Sequence, residues 1–411
     1  MNGYNVWNKW GKLKTVMLGD HYRSEFFNDI KNPRIRSSLQ RITDETHEDL
    51  EYYEKVLKDF GCNVIRPNIN ENDSIMNYVN NDGQVIRPSS GVPRSPLQVR
   101  DAQFVAGNKL FLTGSDELGI EQALLSHNSK DVVDLGTIHD FNTHIKYRPM
   151  SEGAFDEFKP YINLPGTYNE YKNDPDYFDK LDQSTLDFLK KLQRGCYDHV
   201  NAPSYTVVGR DIYVDQHDVS IRDDQVELLN KNFPNLRLNM LNHGGHSDGC
   251  FHTIKDGAIL SILEIQNYKN TFPDWDVCFL PNQSWGKVFG FLRLKEQVNG
   301  KWWVPGEEDN DELTHFVETW LHKWVGYVEE TVFDVNVLVL DEHHVCVNNM
   351  NPQVIEFLKK HKMEPVHVPW RHRYFWDGGL HCITLDLERE GTQEDYFPSR
   401  GSAGIIDHGF D

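Results

Sequence analysis

The chain has 411 residues, 38% hydrophobic and 12% aromatic, enough for a sizeable core and too much for disorder as its main state. Its formal net charge of -21, from 63 acidic against 42 basic residues, argues against nucleic acid and anionic membranes as partners. No apolar run approaches the ~18–20 residues of a membrane span. The start Met1-Asn2-Gly3-Tyr4-Asn5 has neither the basic nor the apolar part of a signal peptide, so a cytoplasmic location is expected.

Taken in chain order, the first clear element is an amphipathic helix with Leu50, Tyr53, Leu57 and Phe60 on one face. Gly61 is a natural stop, and residues 62–65 read as a short strand. Arg100-Asp101 then precedes a hairpin at 104–112, marked by apolar residues on either side of Gly107-Asn108. That charged pair is either a surface ion pair or a buried carboxylate awaiting a cation. Further hairpins are expected at 205–214, 251–260 and 336–347. Helix-to-strand steps recur at 225–241 and 354–368. Hairpin, helix and strand repeated at uneven spacing suggest radial or stacked repetition, interrupted by insertions at 161–194 and 266–331. An ordinary α/β domain without true repeats is the competing reading.

Six cysteines are scattered without a CxxC pair, so no thiol-redox or zinc-knuckle motif is visible. Two clusters carry candidate chemistry. His243-Gly244-Gly245-His246-Ser247-Asp248-Gly249-Cys250-Phe251-His252 is dense in titratable groups. Histidine is the usual proton shuttle near neutral pH, and an extended segment would put His246, Asp248 and Cys250 on one face. A zinc site built on His243, His246, Asp248 and His252 competes, although the spacing fits no common zinc motif. The second cluster is Trp376-Asp377-Gly378-Gly379-Leu380-His381-Cys382, a Gly-Gly turn leading a cysteine into a strand. By itself it reads as a buried core thiol or as a nucleophile next to a base.

Together these clusters resemble the glycine and inosamine-phosphate amidinotransferases of the guanidino-group-modifying pentein superfamily. The resemblance starts at Asn8-Lys9-Trp10-Gly11-Lys12-Leu13 and continues through Gly61 to Pro67, Arg100-Asp101, His246-Ser247-Asp248 and Leu340-Asp341-Glu342. Its most specific part is Gly378-Gly379-Leu380-His381-Cys382 followed by Asp386, Arg389, Gly391 and Thr392. It implies one α/β catalytic domain over 1–411, a five-bladed α/β propeller of repeated ββαβ units with insertions. It also implies an enzyme that moves an amidino group from arginine, or a similar guanidine, to a primary amine. Cys382 would be the nucleophile and His246 the acid–base group, with Ser204 completing the catalytic set; Asp101 and Asp248 would hold the guanidinium, and Arg100, His243 and Asn201 would also bind substrate. No metal or cofactor is required, and the expected partners are small molecules, with a homodimer as the candidate assembly. Guanidine hydrolysis on the same fold and non-catalytic guanidino binding are the rival functions.

The resemblance departs at three places. Where the family has an aspartate supporting its histidine, Ser204 stands here, with Asn201 and Asp198 as nearby substitutes. Ile265 takes the place of an arginine that serves the substrate carboxylate. Glu329-Glu330 falls where a serine pair is usual, which would favour a cationic substrate end.

Overall fold

All four hairpins marked by apolar runs around Gly, Asn or Asp form where the pattern places them. The computed structural model describes residues 3–78, 92–112, 119–134, 159, 164–173, 177, 180–182, 185, 202–215, 229–241, 246–262, 268–280, 304, 306–307, 309–321, 324–325 and 332–408.

Strand β1 (Leu13–Leu18) leads through helix α1 (Pro33–Asp59) to β2 (Asn63–Ile65), which lies parallel to β1. The helix starts at Pro33 because the Asn32 side chain accepts from the Arg34 and Ile35 N–H groups. It stops at Gly61, whose φ of 83° suits glycine. The sequence marked only its second half. The first half buries Ser38, Thr43, Thr46 and Asp49 beside its apolar residues, which blurs the periodic stripe. Thr43 and Thr46 are accommodated there by donating to the Leu39 and Ile42 carbonyls four residues back.

The same plan then recurs. Strands β3 (Gln103–Ala106) and β4 (Lys109–Leu112) form an antiparallel hairpin, and helix α2 (Ile120–His127) returns the chain to β5 (Val132–Asp134), parallel to β4. Hairpin β6 (Tyr205–Val208)–β7 (Asp211–Asp215) is joined in parallel by β8 (Arg237–Leu241). After a single helical turn, α3 (Ser247–Cys250), comes hairpin β9 (Phe251–Lys255)–β10 (Ala258–Ser261), joined by β11 (Asp276–Phe279). The last unit is β12 (Leu338–Asp341), β13 (His344–Val347), helix α4 (Pro352–Lys360) and β14 (Glu364–His367). The start of the stretch expected as an insertion over 266–331 therefore belongs to a repeat, since β11 is a unit's third strand. The 161–194 stretch lies largely outside the described residues; of the helix expected over 225–232, residues 229–232 are described and are helical.

A further turn, α5 (Arg373–Trp376), precedes β15 (Thr384–Arg389), which pairs antiparallel with β1 and gives the first unit its missing hairpin partner. Strand β16 (Gly404–Asp407) covers the outer edge of β8. Among the described residues the chain thus forms five small sheets, each an antiparallel pair extended by one parallel strand or, with β8 and β16, by two. It is a mixed α/β fold built from repeated units. One apolar core packs α1 against Trp324, Trp370, Trp376, Leu380 and Ile383, so the approach to Cys382 rests directly on a well-filled interior.

Candidate active site

The turn before β15 is fixed at several points. Trp370 Nε1 donates to the Gly378 carbonyl at 2.9 Å, and Gln98 Nε2 donates to that of Trp376. Trp376 itself is anchored by its indole N–H on Thr46 Oγ1, 2.8 Å away. Asn336, just ahead of β12 and fully buried, holds the next segment. Its Oδ1 accepts from the His381 and Cys382 N–H groups at 2.9 and 3.0 Å. Its Nδ2 lies 3.1 Å from Cys382 Sγ and 3.1 Å from Asp248 Oδ2. Gly379 has to be glycine here, because a Cβ would sit 2.6 Å from Asn336 Oδ1.

Asp248 comes from α3. The expected extended segment from His246 to Cys250 is instead this helical turn, because the Gly249 and Cys250 N–H groups both donate to the His246 carbonyl. The strand begins only at Phe251, so face-sharing by alternation does not apply. The turn nonetheless delivers a buried carboxylate to the thiol, with Cys382 Sγ 3.5 Å from Asp248 Oδ2. His381 Nδ1 donates to the same oxygen at 2.8 Å. Asp248 Oδ1 is buried and has no hydrogen-bond partner among the described residues.

Electrostatics follow from this arrangement. Burial alone would raise the Asp248 pKa, but the His381 hydrogen bond and the neighbouring His381, His246 and Arg100 outweigh it and hold the group ionised. Burial pushes the Cys382 thiol well above its ordinary value, and the Asp248 and Asp101 carboxylates push it further. Both effects favour the neutral thiol over the thiolate. A cation placed between it and the carboxylates would favour the thiolate.

His246 is exposed at the N-cap of α3, within electrostatic reach of Asp248 and of Asp377. Ser204 is buried, and its main-chain carbonyl accepts from Ser247 Oγ at 2.8 Å, which anchors the residue following His246. No hydrogen bond links Ser204 to the His246 ring among the described residues. Asp101 is half-buried and accepts from Arg94 Nη1 at 2.9 Å. Arg100 points into the interior, donating to the His381 carbonyl and to Asp386. His243, Asn201, Asp198, Ile265, Glu329 and Glu330 lie outside the described residues. Among the described residues, no group of three or more His, Cys, Asp or Glu side chains is arranged to hold a metal ion. His252 stacks edge-on against His381 at 4.6 Å, buried close to Lys9 and Arg100.

Sequence reasoning passed over Asn336, reading it only as the start of a hairpin. The available signal was a polar residue directly before a continuous apolar run, where a side chain is either exposed or given a buried task. The other cysteines among the described residues behave as core. Cys62, Cys250, Cys278 and Cys346 are buried, and burial raises the Cys62 and Cys278 thiols to about 11.

No family model matches the chain. Over 70 residues it is 31% identical to the L-arginine:L-lysine amidinotransferase of Pseudomonas savastanoi pv. phaseolicola, covering 17% of this chain and 19% of that one. Over 213 residues it is 25% identical to the mitochondrial glycine amidinotransferase of Gallus gallus, covering 49% of this chain and 40% of that one. The match thus spans less than half the length of these curated relatives. Whole-chain similarity comes from structure. An amidinotransferase of Microseira wollei from the saxitoxin biosynthetic pathway superposes with a TM-score of 0.56 at 16% identity, over 96% of this chain and 99% of that one. The chain has the amidinotransferase type of pentein fold. The inosamine-phosphate amidinotransferase of Streptomyces griseus superposes equally well, with the same TM-score and coverage. In this fold, Cys382 and Asp248 meet where two distant units converge, 134 residues apart in sequence. No helix among the described residues is long and apolar enough to cross a membrane.

Proposed function

We propose that this pentein is an amidinotransferase that takes an amidino group from arginine, or a similar guanidine, and passes it to a primary amine through a covalent amidino-cysteine. The observation that carries the reading is a buried carboxylate, Asp248, with one oxygen beside Cys382 Sγ and the other unpartnered. That is a seat for a planar cation directly against a nucleophile.

The steps follow from the chemistry of a guanidinium, which is resonance-stabilised and a poor electrophile. Asp248 and Asp101 hold it by charge-assisted hydrogen bonds and fix its plane. The cation offsets the carboxylates that keep Cys382 protonated, so on substrate binding the thiol passes its proton to His246 and becomes the thiolate. Cys382 attacks the central carbon, a C–S bond forms, and the C–N bond to the donor amine breaks as His246 protonates the leaving nitrogen. The acceptor amine then attacks the same carbon, His246 takes its proton, and the thiolate leaves. Ser204 supports the His246 segment from behind. In this reading the five units are blades of one propeller domain around a polar channel, working in the cytoplasm without metal or cofactor.

Intact-protein and peptide mass spectra after incubation with arginine test the proposal. An amidino group on the Cys382 peptide, absent in Cys382→Ala, is the expected result. Neither adduct nor released ornithine would sink it. Citrulline in place of amidinated acceptor would move the reading to hydrolysis.

A further inference from the structure

Asp377 is five residues before Cys382, at the C-terminal end of α5, and no part of the proposed reaction uses it. Its φ is 52°, in the left-handed region that Asp, Asn and Gly tolerate best. The backbone on both sides is pinned, with the Trp376 carbonyl held by Gln98 and the Gly378 carbonyl by Trp370. Its side chain is not. Asp377 Oδ1 is buried and has no hydrogen-bond partner among the described residues. A buried, unpaired carboxylate oxygen is costly unless a ligand satisfies it.

Its neighbours place it close to the Cys382 segment. A Cβ on Gly378 would lie 3.0 Å from Cys382 Cβ, so the chain at 377–378 runs alongside the nucleophile. The Asp377 carboxyl is within electrostatic reach of Arg94, His246 and Asp101, and Asp101 in turn reaches Cys382. Asp101 is already partly engaged, since Arg94 donates to its Oδ2. Two carboxylate oxygens on the segments that meet at Cys382 are thus buried and unpartnered among the described residues, Asp248 Oδ1 and Asp377 Oδ1. A guanidinium has five N–H donors to offer.

We propose that Asp377 is a substrate-binding carboxylate of this pocket, holding the planar cation together with Asp248. This rests on Cys382 as the reacting thiol and on Asp248 and Asp101 as the carboxylates that hold the cation, and it adds Asp377 as a third. Burial raises the pKa of Asp377 against the pull of Arg94 and His246, so these neighbours do not fully compensate its charge.

The test compares alkylation of Cys382 in the purified protein by two probes of similar size, cationic 2-chloroacetamidine and neutral 2-chloroacetamide. In each the thiolate displaces chloride as a C–S bond forms. Wild type should prefer the cation, and Asp377→Asn and Asp377→Gly should each cut that preference about ten-fold or more, as expected for one lost charge-assisted hydrogen bond. Both replacements suit a positive φ, so the turn survives and one variant checks the other. A preference within about two-fold of wild type in both variants would overturn the assignment. The probes need no arginine. A missing arginine adduct with the Asp377-dependent preference intact would fail only the donor reading. A normal adduct with an unchanged preference would fail only Asp377.

Discussion

Asp377 and Asp386 stand on either side of Cys382 and are treated in opposite ways. Asp386, on β15, faces three cations: Arg389 Nε at 2.9 Å, Arg100 Nη2 at 3.3 Å and Lys9 Nζ at 3.6 Å. Arg389 goes on to bond the Gly11 and Val339 carbonyls, which ties β15 to the N-terminal segment and to β12. Burial would raise the Asp386 pKa, but its cations hold it far below the usual carboxylate range. Asp377 has a buried oxygen with no partner, and burial dominates its ionisation in the other direction. A closed carboxylate holds units together; an open one is available to a ligand. The same contrast separates Arg100, turned inward, from Arg94, which reaches Asp101 at the pocket.

Substitutions should widen or erase this difference. The largest stability loss is expected for Asp386→Ala, which leaves three buried cations around a missing charge. It should cost about 3–5 kcal/mol in chemical denaturation. If Asp386→Ala melts like wild type, the hub is not structural. Asp248→Asn should slow amidino-adduct formation with arginine about 100-fold, the typical loss for a preorganised electrostatic partner; an unchanged single-turnover rate would contradict its role. Asn336→Ala strips acceptors from the His381 and Cys382 N–H groups and should cost about 1–3 kcal/mol. The smallest effect has the opposite sign. Asp377→Asn should stabilise the free protein by up to about 1 kcal/mol. Because the folded-state pKa is raised, the carboxylate costs stability once ionised. The gain over wild type should therefore be absent below the unfolded value near ~3.9 and complete above the folded one. Thermal melts of both proteins across the acidic range would reveal it, and a flat difference would reject it.

The pH dependence of Cys382 alkylation by a neutral reagent tests the pocket's field as a whole. With its pKa raised, the rate should still be climbing above pH ~9, past the ordinary thiol range. A saturating guanidinium ligand that leaves the sulfur accessible should shift the curve to lower pH. A plateau near neutrality in the free protein would mean that Cys382 is already a thiolate.

What was legible in the sequence was local. The hairpins at 104–112, 205–214, 251–260 and 336–347 announce themselves because alternating apolar residues and a turn residue lie within a dozen positions. The Cys382 and Asp248 segments were legible as motifs. Their meeting was not derivable from spacing, and it came from resemblance. Asn336 was invisible because its partners lie 46 and 88 residues away and nothing in its own neighbourhood demands an amide. The α3 turn was misread as strand since period-two alternation at His246, Asp248 and Cys250 is equally compatible with one helical turn. The hub around Asp386 was partly visible as charges in a strand, but only packing shows that they face inward.

The pairing of β1 with β15 has a consequence in time. Thr15 and Glu388 are bonded across 373 residues of chain. On a ribosome, β1 therefore emerges long before its hairpin partner exists, and β2 covers only its other edge. Cys382 lies two residues ahead of β15, so the segment that completes the first sheet also carries the thiol of the proposed reaction. Assembly of the pocket and closure of the first unit are then one late event. A nascent chain would pass through synthesis with its chemistry switched off until that strand docks.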